Sequence, residues 1–208
     1  MSTILSGLIP HPHVWTATTT RHSLPADFEL PKGRKLILMN QVHGDTAVRV
    51  DRHSSTLIPD CDAIYSTDSG VALGVKTADC LPILLFHPSG PVAAIHAGRR
   101  STERHLFEKV LHIFCSEFGV SSGMYIWFGP SIHGPCYQVD RQQNRFVDLL
   151  AENVAQLAAV LDPSKCLINH TYCCTHCRTD MFFSYRKETE KAGRMVAAVS
   201  ALPPLGTQ

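Results

Sequence analysis

No charge of either sign dominates this chain. Its 208 residues carry 19 Lys and Arg against 18 Asp and Glu, a net +1 with histidine neutral. A field that small gathers neither nucleic acid nor an anionic membrane, so both partner classes are set aside. Long apolar runs are missing too. The most apolar stretch, Val71 to Phe86, is interrupted by Lys76 and Asp79, and nothing approaches the roughly 20 residues of a transmembrane helix. The opening MSTILSGLIPHPHVW has no basic start followed by an apolar stretch, which predicts no secretory signal. The expectation is a soluble cytoplasmic protein with reduced thiols. Internal repeats and low-complexity linkers are also lacking, and 44% hydrophobic residues is ordinary for a globular protein. That composition excludes disorder and coiled coil, and residues 1–208 read as a single domain.

Eight Cys and twelve His are abundant by comparison. In a reducing compartment these thiols are buried hydrophobes, metal ligands or nucleophiles rather than a disulfide framework. Apolar or β-branched runs at Lys35–Met39, Ala47–Val50, Ala63–Tyr65, Val71–Val75, Leu81–Phe86, Val92–Ile95 and Met124–Phe128, punctuated by Gly, Pro, Asp and Ser, predict strands. Leu106, Phe107, Val110, Leu111, Phe114 and Phe118 recur at helical spacing. They predict a helix over Thr102–Phe118 with Ser101 as N-cap and Gly119 closing it. Asn144–Leu161 predicts a second helix, and Lys187–Val199 suggests a third. The fold class expected is α+β, a single layered domain with mixed β-sheets flanked by helices.

Three residues stand at strand ends or turns, where sites are assembled. His43 lies in NQVHGD after the KLILM strand, Cys80 in TADCLP between two strands, and His96 ends VAAIH. Two imidazoles and a thiolate suit zinc with its fourth position open to water, whose pKa zinc lowers toward about 7. The separations of thirty-seven and sixteen residues match no local metal motif. On residue chemistry alone, a buried thiol and two hydrogen-bonded histidines remain the alternative. A nucleophilic Cys80 with His96 as base, a cysteine hydrolase or amidase, is a further one.

The wording around these residues narrows the choice. NQVHGD, CDAIYSTDSGVALGVKTADCLPILLF, AAIHAG, GPSIHGPCY and FFSYR follow one another in this order. The chain resembles the laccase-domain family, described both as multicopper polyphenol oxidases and as zinc-dependent purine nucleoside enzymes, from about Thr19 to Val199. The resemblance implies that His43, Cys80 and His96 are the metal ligands. It also implies phosphorolysis of purine nucleosides, deamination of adenosine, or an amidase activity. Zinc rather than copper is expected, because a laccase needs several coppers and many His ligands. By the same resemblance Arg100 and Arg21 become candidates to bind substrate or phosphate, although either can be a surface arginine. Asp79, beside Cys80, either moves protons in catalysis or orients a ligand. The partners implied are small molecules, a nucleoside and phosphate.

Departures from the family pattern are concentrated before the first ligand. Only nineteen residues, His22 to Asn40, separate Arg21 from Gln41. Such a shortened N-terminal segment predicts a depleted phosphate seat and weak phosphate dependence, and leaves a non-catalytic family member as an alternative. Near the C-terminus, Cys166, His170, Cys173, Cys174, His176 and Cys177 cluster around a single CxxC. One such pair predicts packing beside the site rather than a second metal. His11, His13, His53, His105 and His112 are expected at the surface.

Overall fold

LPILLF, residues 81–86, contains no polar side chain, and all six residues are buried. A strand so uniformly apolar has to be covered on both faces. The computed structural model, which describes residues 3–203, provides that cover. The first nine strands are β1 (Ile4–Ser6), β2 (Val14–Thr19), β3 (Lys35–Met39), β4 (Ala47–Arg49), β5 (Leu57–Ile58), β6 (Ala63–Ser66), β7 (Val71–Thr77), β8 (Leu81–Phe86) and β9 (Val92–Ala97). Helices α1 (Arg99–Glu103) and α2 (Leu106–Phe118) follow, then β10 (Tyr125–Phe128), β11 (Gln138–Asp140) and β12 (Arg145–Phe146). Last come α3 (Leu149–Val160), β13 (Leu167–His170), α4 (Tyr185–Glu188) and β14 (Met195–Ala201).

Two mixed six-stranded sheets result, in the orders β1-β2-β14-β7-β3-β5 and β13-β10-β8-β9-β6-β4. Side chains alternate across a strand, so β8 sorts the layers. Leu81, Ile83 and Leu85 join a core with Phe107, Val110, Leu111 and Phe114 of α2 and Leu149 and Leu157 of α3. Leu84 and Phe86 join the other core, against Val71, Leu73 and Val75 of β7 and Ile37 and Met39 of β3. The order is sheet, sheet, helices, the α+β architecture expected from the sequence. In β9 the same alternation places Val92 and Ala94 in the intersheet core. His96 has their parity and so takes that face at the strand's end. No helix among the described residues is long and apolar enough to cross a membrane.

Three helices differ from their predicted extents. Thr102–Phe118 is not continuous: α1 ends near Arg104, and His105 in the left-handed region (φ 58°) starts α2. Ser101 is a buried residue inside α1 rather than its cap. The break is tolerated because α3 satisfies the interrupted backbone. Gln156 donates to the Thr102 carbonyl at 2.9 Å and accepts from the Glu108 amide at 3.2 Å. Asn144–Leu161 is helical only from Leu149, where the Asp148 carboxylate caps the first turn by accepting from Ala151 N at 3.0 Å. Arg145 and Phe146 pair with β11 instead. Of Lys187–Val199, the stretch MVAAVSA is the fully buried strand β14 between β2 and β7. A run apolar on every side carries no period that separates strand from buried helix. His11 also departs from its expected surface position, packing its ring 4.8 Å from Phe86 and 4.9 Å from Tyr125.

Candidate metal centre

Asp62 organises the floor of the site, and the sequence reading missed it. It has no exposed surface, so its charge has to be answered locally. The Oδ2 atom accepts the backbone N–H of Val42 at 3.1 Å and of Gly44 at 2.7 Å. Oδ1 accepts the His43 N–H at 3.0 Å and pairs with His96 Nδ1 at 2.7 Å. Burial works against this carboxylate's charge, but His96 and the backbone donors outweigh it and hold its pKa below the usual value. One anion thereby folds the NQVHGD turn, in which His43 takes φ 57°, and fixes the His96 ring. With Nδ1 engaged, His96 presents Nε2 to the cavity, the usual arrangement behind a metal-bound histidine. The signal available in the sequence was an aspartate opening the buried run of β6, where an unpaired charge is rare.

Cys80 arrives from the tight turn between β7 and β8, in which Asp79 takes φ 87°. Its Sγ lies 3.9 Å from His43 Nε2, and the His43 and His96 ring centroids are 4.7 Å apart. One ligand atom from each of His43, Cys80 and His96 falls within a mutual 4.8 Å. Burial opposes the charge of both Cys80 and His96. Their mutual attraction and the flanking hydrogen bonds prevail, lowering the Cys80 thiol to about 6 and raising His96 to about 9. Gly98 leaves the space this trio needs. A Cβ there would sit 3.0 Å from His43 Cδ2, 3.1 Å from Cys80 Sγ and 3.5 Å from His96 Cε1. Two imidazoles, a thiolate and that vacant volume fit a metal ion with an open coordination position.

The trio lines a cavity of about 870 Å³. Lys76, Arg99, Arg100, Arg186 and Arg194 line it against only two carboxylates, Asp79 and Glu190. Arg99 is paired with Glu103 at 3.0 Å, and Arg186 donates to the Gln138 carbonyl at 2.7 Å. The Arg100 guanidinium and the Lys76 ammonium have no ion pair among the described residues. Tyr137 and Tyr185 add aromatic wall. Asp79 is also at the wall, and each of its oxygens accepts one hydrogen bond. Oδ1 accepts from Thr175 Oγ1 at 2.7 Å and Oδ2 from the Arg186 N–H at 2.6 Å. Arg21 is not among the cavity-lining residues. It binds Glu188 at 2.9 Å and the Thr179 carbonyl, and stands 5.0 Å from the Phe183 ring centroid. Lys76, Arg186, Arg194 and the two tyrosines were not singled out from sequence, having no spacing that marks them.

Known proteins are similar to this chain in sequence and in fold. A family model described as "Multi-copper polyphenol oxidoreductase laccase" matches residues 16–163 and 140–201. A purine nucleoside phosphorylase of Mycobacterium tuberculosis is 35% identical over 120 residues, 57% of this chain and 48% of that protein. The chain thus spans about half the length of such curated relatives. Purine nucleoside phosphorylase YlmD of Geobacillus stearothermophilus is 28% identical over 198 residues, 78% of this chain and 71% of that protein. The crystal structure of YlmD from that organism has a TM-score of 0.79 at 24% identity, covering 93% of this chain and 94% of that one. A Neisseria meningitidis protein gives a TM-score of 0.77 at 23% identity, covering 96% and 99%. At that identity the structural likeness establishes the shared fold.

Proposed function

The chain belongs to the family described as multi-copper polyphenol oxidoreductase laccase, and on that premise we propose a zinc-dependent enzyme acting on purine nucleosides, by phosphorolysis and by deamination of adenosine. The observation that carries the proposal is the convergence of His43, Cys80 and His96 on a cavity rich in cations. The donor set suits zinc. The same set serves a blue-copper centre when a weak axial ligand completes it, so metal analysis is part of the test. Zinc, when bound there, supplies Lewis acidity beside the substrate.

The chain's own residues account for recognition. Phosphorolysis moves the ribosyl carbon from a purine nitrogen to a phosphate oxygen, so the wall has to hold a doubly charged anion. Arg100 and Lys76 are free to do so, and Arg194 faces the same cavity. Lys76 and Arg194 were not counted in the depleted phosphate seat expected from sequence, and they support phosphorolysis alongside deamination. Tyr137 and Tyr185 offer faces for a purine ring. Asp79 serves as a positioning residue in this scheme, tying Thr175 and the Arg186 backbone to the residue beside Cys80. Arg21 fastens α4 and has no role at the substrate.

Chromatography of adenosine incubated with and without phosphate tests the reading. Adenine formed only with phosphate reports phosphorolysis, and inosine formed without it reports deamination. Losing one charge-assisted phosphate contact costs about 1.5–3 kcal/mol, so Arg100→Ala should raise the KM for phosphate roughly tenfold to a hundredfold with zinc retained. Full activity in metal-free protein would overturn the proposal in favour of a nucleophilic Cys80. Neither product would leave an amide substrate or a non-catalytic protein.

A further inference from the structure

A second group of soft ligands lies outside the cavity lining, and neither the family resemblance nor the proposed reaction accounts for it. Cys136 ends a turn of 3-10 helix at Gly134–Cys136. Cys174, His176 and Cys177 lie in the loop after β13, and the two segments meet. Cys136 Sγ is 3.5 Å from Cys177 Sγ, and one ligand atom from each of Cys136, His176 and Cys177 falls within a mutual 4.8 Å. Cys174, the buried first cysteine of the same C-x-x-C, lies outside that 4.8 Å group and is the fourth ligand that the loop sequence offers.

The backbone around Cys174 is arranged for a sulfur that carries charge. The His133 N–H donates to its Sγ at 3.4 Å. A backbone amide turned onto a cysteine sulfur offsets thiolate charge, which is what a metal-bound cysteine requires. The sulfur spacing agrees. Tetrahedral ligands with metal–sulfur bonds of about 2.3 Å place two sulfurs about 3.8 Å apart, whereas a disulfide needs about 2.05 Å. We propose that Cys136, Cys174, His176 and Cys177 form a second, structural zinc site of the three-cysteine, one-histidine type.

Such an ion pins the Gly134–Tyr137 turn to the Cys174–Cys177 loop. Both segments touch the cavity: Tyr137 lines it, and Thr175 holds Asp79 at 2.7 Å. The sequence showed a lone C-x-x-C because its third cysteine comes from forty-one residues before Cys177, in GPCY.

Metal counting on the full chain, purified under reducing conditions, tests this without relying on the reaction. Wild-type protein should hold two zinc ions, Cys80→Ala one, and Cys136→Ser/Cys177→Ser one. In the Cys80→Ala background, cobalt should give the intense absorption of a tetrahedral, thiolate-rich site. Zinc should protect Cys136 and Cys177 from alkylation until a chelator is added. Because the cysteine variants can fail to fold, His176→Ala supplies a milder check. It keeps three thiolates and should weaken zinc retention by at least about tenfold. The proposal is overturned if Cys80→Ala holds no zinc and its thiols alkylate equally fast with and without the ion. A Cys136–Cys177 disulfide in reductant-free wild type, with a single zinc bound, would overturn it equally.

Discussion

Replacing Asp62 by Asn changes no volume and removes one charge, which makes it the sharpest perturbation of the metal centre. The carboxylate receives four hydrogen bonds, two at each oxygen. Asparagine can accept at only one of these positions. If its oxygen takes the His43 N–H and His96, its NH2 faces the buried amides of Val42 and Gly44. If the amide flips, its NH2 faces His43 N and His96 Nδ1. The second orientation forces His96 Nδ1 to accept and moves the ring proton to Nε2, the nitrogen that faces the cavity. It loses the His43 bond and reverses the His96 one. The first orientation loses two charge-assisted bonds, at about 1.5–3 kcal/mol each, so about 3–6 kcal/mol in all. Against a typical total stability of about 5–15 kcal/mol that is a large share. For a chain of this size Tm should fall by roughly 6–24 °C, at about 2–4 °C per kcal/mol. Calorimetry and urea unfolding of metal-free Asp62→Asn measure the fold, and zinc titration of the same protein measures the site. A change within the roughly 0.5 kcal/mol of an ordinary surface substitution, with zinc binding intact, would refute the assignment of Asp62 as the anchor of this turn.

Gly98→Ala places a methyl 3.0–3.1 Å from His43 and Cys80 in a backbone conformation that alanine adopts freely (φ −75°). Zinc content should therefore fall while circular dichroism and Tm change little, and a variant that keeps its zinc refutes the fit. Arg21→Ala removes the ties to Glu188 and the Thr179 carbonyl, so it should lower Tm by a few degrees and leave the KM for phosphate unchanged. At Asp68 a bidentate pair with Arg52, at 2.8 and 2.6 Å, and the Gly70 amide hold the carboxyl well below the usual carboxylate range. A depressed carboxylate contributes stability that is fully present above its unfolded value near 4 and is lost as pH falls below it. Urea unfolding between pH 6 and pH 2, in roughly one-unit steps, should show a shallower acid decline for Asp68→Asn than for the wild type. Arg52 is largely exposed, so the difference should be modest.

What the sequence made legible follows from how local each feature is. The strand Lys35–Met39 was found at its observed bounds, and so was Leu81–Phe86, because composition and flanking turns suffice to define them. His43, Cys80 and His96 stood out because their residue types sit at strand ends. Asp62 did not, since its partners lie 18 to 34 residues away and nothing in Cys-Asp-Ala indicates them. Helix α2 begins at His105 rather than continuing from α1 because Gln156, about fifty residues on, answers the broken backbone. Periodicity cannot register such a partner. Strand β14 was taken for helix because MVAAVSA is apolar on both faces, and only the register against Thr18 and Ala17 of β2 and Gly74 of β7 settles it.

Two buried carboxylates divide the support of the cavity between them. Asp62 gathers the turn carrying His43 and the ring of His96 onto one anion, which fixes the ligands relative to the second sheet. Asp79 gathers three later segments. Its oxygens accept from Thr175 and Arg186, and its own carbonyl accepts the Ile132 N–H at 2.9 Å. Those segments approach Cys80 from the C-terminal part of the chain, and Asp79 is the residue next to it. A charge buried this far costs stability unless it is hydrogen-bonded, so exchanging either carboxylate for a neutral group should loosen the segments it holds. That argues for Asp79 as a positioning residue. Its two side-chain hydrogen bonds tie the segments of Thr175 and Arg186 to the residue next to Cys80.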